Sequence, residues 1–222
     1  RPYPFYLGIG FSIVGLLLSW IWIRDTQHHV SLDQKTSQIP LLKNIFWETT
    51  WKHPNLGSIT QAGLVNNLND GMIWGLFPLL LAEKGFSLQT IGLIVSIYPM
   101  VWGLGQLITG KLADILPKKW LLFWGMLVQG LAILGLIWGQ STTVYILLGV
   151  ILGIGTAVVY PTFLAAIADY THPKQRANSI GVFRLWRDLG YAIGALLTGV
   201  IADTMGINSS FAIIALLTIL SS

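Results

Sequence analysis

Residues 108–119 read ITGKLADILPKK, and residues 197–208 read LTGVIADTMGIN. Both contain T-G-x-x-A-D, as Thr109, Gly110, Ala113 and Asp114 in the first and Thr198, Gly199, Ala202 and Asp203 in the second. The offset is 89 residues. Lys118 and Lys119 close the first copy, and no basic residue follows the second. What such a repeat means depends on how the chain runs between its copies, and so on the solvent it lives in.

That solvent is a bilayer. The 222 residues are 54% hydrophobic and only 10% charged, with ten tryptophans, and the mean hydropathy is +0.67. Soluble domains carry about 25% charged residues, and a water-soluble surface of this size cannot be covered with fewer than half of that. The absence of cysteine excludes disulfides and cysteine-ligated metals. The basic excess lies in loops between apolar runs, which points to membrane topology and excludes a nucleic-acid partner.

A spanning helix needs roughly 20 mostly apolar residues. Tyr3–Ile23 is charge-free, Ile59–Ala82 holds only Asp70, and Phe86–Gly110 holds no charge. The uncharged run from Trp120 to Ala168 is too long for one crossing, and Gly139-Gln140-Ser141-Thr142-Thr143 divides it in two. Asn178–Ala202 is interrupted by Arg184, Arg187 and Asp188, and Ser210–Ser222 begins a further span. The expected fold is an all-α membrane bundle, a fragment with six full transmembrane helices and a truncated seventh.

With the 24–58 loop placed inside, nine Lys and Arg fall on inner loops and only Arg1 and Lys84 on outer ones, a clear positive-inside bias. Within that loop Leu41, Leu42, Ile45 and Phe46 share one helical face. Residues 41–51 therefore read either as an interfacial helix on the inner leaflet or as a plain linker. The 89-residue offset now spans three helices. Three is odd, so the two T-G-x-x-A-D copies lie on opposite sides, and only the inner copy keeps its lysines. This is the pattern of an inverted-topology three-helix repeat.

GKLADILPKK resembles the cytoplasmic signature of the major facilitator superfamily, a Gly, three residues, an Asp and a basic pair, met here by Gly110, Asp114, Lys118 and Lys119. Ile115 and Pro117 depart from that pattern, where a basic residue and a glycine are usual. DYTHPKQRANSIG resembles the family's other short inner loop, with Asp169, Pro173, Arg176 and Gly181 in order. The resemblance implies that residues 1–23 are the sixth helix, 24–58 the central cytoplasmic loop, and 59–222 the C-terminal six-helix half with its last helix cut short. The N-terminal half of the same chain would then be missing.

The candidate site begins with GLVNNLNDGMIWG, residues 63–75. Gly63, Asn66, Asn67, Asp70, Trp74 and Phe77 fall within about a third of the helix circumference. Asp70 is near the bilayer midplane, where a lipid-facing carboxylate costs roughly 2.5–3.5 kcal/mol, so it faces the bundle interior or a water-filled cavity. By the resemblance, this helix lines the central cavity. The alternative is helix packing, with asparagines bonding across helices and Gly71 and Gly75 forming a small-residue seam. Asn69 points off the stripe.

In FRLWRDLGYAIGALLTG, Arg184, Asp188 and Tyr191 share a face with Arg187 at its edge. Arg184 could pair with Asp188 at i,i+4 or snorkel inward, whereas the deeper Arg187 needs Asp70 or Asp188. The expectation is a proton-coupling or anion-binding network of Asp70, Arg187 and Asp188. Tyr98, Trp102 and Gln106 reach the same cavity from the third span. The glycine pairs Gly149/Gly153 and Gly190/Gly194 read as packing seams.

Catalysis is not expected. HHVSLD, residues 28–33, matches an acyltransferase spacing but sits alone in a polar linker, and no third ligand accompanies His28 and His29 as a metal site. No phosphate-cradling loop appears, so no nucleotide cofactor is expected. The expected function is a secondary transporter in a bacterial inner membrane, moving a small solute by alternating access with protons as the coupling ion. The other reading is a receptor or scaffold that kept the fold and lost transport.

Overall fold

A computed structural model describes residues 3–23 and 37–222. Arg1, Arg24, Lys35 and the HHVSLD stretch lie outside the described residues. The chain divides into two compact units, 1–38 and 39–222. Among its described residues the first holds α1 (Tyr3–Trp22), which buries none of its residues.

The second unit is built of helices joined by short loops. A short α2 (Ile45–Trp47) runs into a π turn (Glu48–Lys52). Six long or apolar helices follow: α3 (Pro54–Glu83), α4 (Leu88–Ile115), α5 (Lys118–Leu136), α6 (Thr142–Asp169), α7 (Arg176–Met205) and α8 (Ile207–Leu220). Their ends carry the expected punctuation. Ser87 and Ser141 cap α4 and α6 by accepting from Thr90 and Val144, and His53 with Pro54 starts α3. Gly206 has φ of +89°, the left-handed region, which lets α7 turn into α8 within one residue.

Five helices are long and apolar enough to cross a membrane: α1, α4, α5, α6 and α7. α3 is long enough, with 30 residues, but Asn66, Asn67, Asn69 and Asp70 lower its hydropathy below that of the others. It can tolerate them because the polar groups point inward, as Asn66, Asn69 and Asp70 are all buried. The interfacial helix expected at 41–51 is shorter than read. It begins at Ile45, because Leu42 is held in extended chain by Gln175, whose side chain accepts from the Leu42 N–H at 2.7 Å and donates to its carbonyl at 3.0 Å.

The principal packings are α3 on α7, α4 on α6, and α5 on α6 and α8. Shifting by one repeat turns α3 into α6, α4 into α7 and α5 into α8. The α3·α7 pair then becomes α6·α4, so the two largest seams are exchanged by the repeat. This is the geometry of an inverted pair of three-helix units. Glycines set the closeness of both seams. A Cβ on Gly190 or Gly194 would lie 2.2 or 2.5 Å from the carbonyl oxygen of Leu64 or Leu68 in α3. One on Gly153 would lie 3.0 Å from that of Tyr98 in α4. Gly71 packs against the α7 backbone, but Gly75 meets nothing within 4 Å, so the expected Gly71/Gly75 seam is half formed.

At one end of the bundle Lys84 donates to the carbonyls of Ile137 and Gly139, just past the end of α5, at 3.1 and 2.9 Å. At the other end Trp186 of α7 donates to Thr50 at 3.1 Å and Thr60 of α3 to the Thr49 carbonyl at 2.9 Å, fastening the π turn to the bundle.

The seam makes a test. Gly194→Ala forces a methyl into the α3 backbone, and overpacking of this kind costs about 1–3 kcal/mol, whereas Gly199 faces open space. Thermal unfolding in detergent is expected to show a lowered midpoint for Gly194→Ala and an unchanged one for Gly199→Ala.

Candidate functional site

The polar residues of α3 divide by direction. Asn69 faces the bundle's interior, donating to Gln129 of α5 at 3.4 Å and accepting from Thr218 of α8 at 2.6 Å. Gln129 and Thr218 stand one repeat apart, so the third helix of each unit supplies one partner to the same amide. Asn69 therefore works as a cross-helix tie.

One residue on, Asp70 faces α4. Its carboxylate accepts a hydrogen bond from the Tyr98 hydroxyl, which also lies 3.4 Å from Thr156 Oγ1 on α6. From there aromatic rings continue. Trp102 stacks on Tyr98 at 6.1 Å with 14° between planes, Tyr160 meets Trp102 at 5.2 Å, and Trp74 lies 6.3 Å from Tyr98. The far end is cationic. The Arg187 guanidinium sits 5.3 Å over the Tyr160 ring, donates to its hydroxyl at 3.0 Å, and gives two bonds to Asp188 Oδ1 at 2.8 and 2.7 Å. Asp70 and Asp188 are thus joined by a continuous wall drawn from α3, α4, α6 and α7.

Several placements differ from the sequence reading. Asp70 and Arg187 make no ion pair, and their connection runs through Tyr98, Trp102 and Tyr160. Asp188 takes the neighbouring Arg187 as partner instead of Arg184, although adjacent residues diverge on a helix. The buried guanidinium, 8% exposed, gains more from an anion than the exposed Arg184 would, since an unpaired buried charge is strongly destabilising. Arg184 has no ion pair among the described residues, and Tyr191 is 43% exposed. Trp74 is 41% exposed beside Tyr98.

Other polar atoms of the wall lack partners within the described residues. Both amide atoms of Asn66, Oδ1 of Asn67 and Nε1 of Trp102 are buried without a hydrogen bond. A buried unpaired polar group costs about 1–3 kcal/mol, so these atoms mark where further polar chemistry fits. Among the described residues no cluster of His, Asp or Glu could hold a metal ion.

Of the first T-G-x-x-A-D copy, Thr109 donates to the Ala157 carbonyl at 2.6 Å and ties α4 to α6. Gly110 meets no neighbour within 4 Å, and Asp114 and Lys119 are exposed. Lys118 forms a 2.9 Å ion pair with Asp169 at the end of α6, bringing the two motif-bearing loops together. A cavity of about 660 Å³ opens beside this pair, lined by Asn55, Ser58, Lys118, Lys119, Asp169 and Tyr170 among others. It is separate from the Asp70 wall.

Tyr160, Thr156 and Gln129 were missed from sequence. Thr156 and Tyr160 stand at i,i+4 on one face of an otherwise apolar helix, and Gln129 is the lone amide of α5. Both are signals of the kind that singled out Asn66–Asp70.

A family model described as Major Facilitator Superfamily matches residues 59–222. An uncharacterized MFS-type transporter of Methanocaldococcus jannaschii is 28% identical over 188 residues, covering 82% of this chain and 44% of that protein. The fosmidomycin resistance protein of Escherichia coli is 27% identical over 153 residues, 68% of this chain and 37% of its own. A probable L-galactonate transporter of Escherichia coli is 28% identical over 139 residues, 62% of this chain and 30% of its own. The chain spans less than half the length of each.

The division of labour on α3 is measurable. Asn69→Ala orphans Gln129 and releases Thr218, and is expected to destabilise by about 1–3 kcal/mol. Asn66→Ala removes an amide with no partner and is expected to leave the unfolding midpoint in detergent unchanged or slightly raised.

Proposed function

This chain belongs to the major facilitator superfamily, and we propose that it carries the sixth helix, central loop and most of the C-terminal half of a secondary active transporter coupled to protons. The chain is a multi-pass integral membrane protein. The membrane we assign is a bacterial inner membrane, with the 24–58 loop in the cytoplasm.

The observation that carries the reading is Asp70. It stands near the middle of a 30-residue helix, where an ionisable group is expensive, and among the described residues its side chain bonds the Tyr98 hydroxyl. Packing alone has no need of a carboxylate there, since Asn69 next to it ties three helices with a neutral amide. Asn66, Asn67, Trp74 and Trp102 supply polar and aromatic surface for a solute. Arg187 and Asp188 close the wall with a pair neutral in sum, while Arg184 and Tyr191 extend it along the exposed face of α7. A proton carrier in alternating access needs a group that can be charged in one state and neutral in another. Asp70 has the setting for that role.

We assign Gly110, Asp114, Lys118 and Lys119 to a cytoplasmic gate, a reading supported by the Lys118–Asp169 ion pair between inner loops. Fosmidomycin and L-galactonate appear in the names of two relatives. These support a small solute and name no narrower class for this chain.

The test uses the whole reading frame containing this chain, in proteoliposomes with entrapped pyranine, against a panel of sugar acids, phosphonates and organic cations. A solute that drives proton movement is expected. Asp70→Asn is expected to lose proton-driven accumulation of it while retaining counterflow exchange. Undiminished uphill transport in Asp70→Asn ends the proposal.

A further inference from the structure

We propose that Tyr98 is a positioning residue that transmits the protonation state of Asp70 to the seam between α4 and α6. The inference rests on the reading of Asp70 as the coupling carboxylate.

Tyr98 has one hydrogen and two acceptors for it. The Tyr98 phenol has a single O–H, and both Asp70 Oδ1 and Thr156 Oγ1 lie within hydrogen-bond reach. Thr156 spends its own hydrogen on the Leu152 carbonyl at 3.0 Å, so toward Tyr98 it acts as an acceptor. With Asp70 ionised, the charge-assisted bond is roughly twice as strong as a neutral one, and the phenol hydrogen goes to the carboxylate. A protonated Asp70 becomes a donor itself. It then donates to Tyr98 Oη, and the phenol hydrogen turns to Thr156. No heavy atom has to travel far.

The surroundings fix everything except that hydrogen. Tyr98 is 2% exposed, and its ring is stacked on Trp102. Beneath its carbonyl lies Gly153 of α6, where an added Cβ would stand 3.0 Å from the Tyr98 oxygen. Thr156 is fully buried one turn further along α6. A bond gained or lost between Tyr98 and Thr156 therefore acts where α4 and α6 are packed backbone to backbone. The groups acting electrostatically on Asp70 are Tyr98 from α4 and Arg187 from α7, and Tyr160 from α6 acts on Tyr98. Gln129 and Thr218 from α5 and α8 are neutral and occupied by Asn69. The repeat places Arg187 at the position equivalent to Tyr98, where it donates to Tyr160 of α6. The second helix of each unit thus presents one donor to the wall.

Infrared difference spectra of the whole reading frame's protein in lipid, recorded between acid and alkaline pH, test the inference without any solute. The expected result is a carboxyl band, lost in Asp70→Asn, that rises together with a shift of a tyrosine C–O band. That tyrosine shift is lost in Tyr98→Phe. In the near-isosteric Thr156→Val the carboxyl band is kept and the tyrosine shift changes in size, because Tyr98 still exchanges its bond with Asp70 but has no acceptor to turn to. A carboxyl band with silent tyrosine bands, or a Thr156→Val spectrum identical to the wild type, overturns the role of Tyr98 alone. The absence of any Asp70 band at every pH overturns it together with the coupling reading, whereas failure of the transport assay with both bands present removes only the transport claim.

Discussion

The hydrocarbon core of a bilayer offers no hydrogen bonds, and this constraint organises the whole molecule. Every polar group placed in a span must find its partner inside the protein, or the cost is several kcal/mol per group. The chain places few, and each has a traceable arrangement. Asn69 is tied on two sides by Gln129 and Thr218. Asp70 is held by Tyr98, and Arg187 by Asp188 and Tyr160. This accounting leaves over Asn66, Asn67 and Trp102 within the bundle, and Thr49, Arg176 and Ser179 nearer the helix ends. In an apolar solvent, an unsettled polar group is a strong pointer to function.

Close backbone packing makes the wall rigid enough to carry such groups. Lipid gives helices no hydrophobic reason to associate, so small residues and cross-helix bonds do the work. Gly190 and Gly194 bring α7 onto α3, and Gly153 brings α6 onto α4. These seams are exchanged by the repeat. The wall is assembled across both of them, with Asp70 from α3, Tyr98 and Trp102 from α4, Tyr160 from α6 and Arg187 from α7. A relative shift along either seam would change the distances between these residues, which is the property alternating access requires.

Much of this was legible in the sequence, and the limit is physical. A carboxylate among asparagines in an apolar run reads as buried and inward-facing from composition alone. The T-G-x-x-A-D repeat with its uneven lysines gives the inverted topology. Partners across helices could not be read, because they depend on how far each helix is rotated about its axis, and the glycine seams set that only in three dimensions. Hence Tyr98 was named only loosely, and Tyr160 and Thr156 not at all. Arg187 reached Asp188 because burial, not helical spacing, decided which arginine needed the anion. The short start of α2 came from Gln175, 133 positions from Leu42, a contact that no local pattern encodes.

The central claim is that the Asp70 face of α3 meets water within the membrane. These 222 residues contain no cysteine, so within them each introduced cysteine is unique. The measurement is labelling of Asn67→Cys, Asp70→Cys and Trp74→Cys by a charged, membrane-impermeant thiol reagent. Leu104→Cys, on the exposed apolar surface of α4, serves as the lipid-facing control. Reaction at the three α3 positions with silence at position 104 is the predicted result. Silence at all three α3 positions, in protein that labels normally after denaturation, would contradict the account.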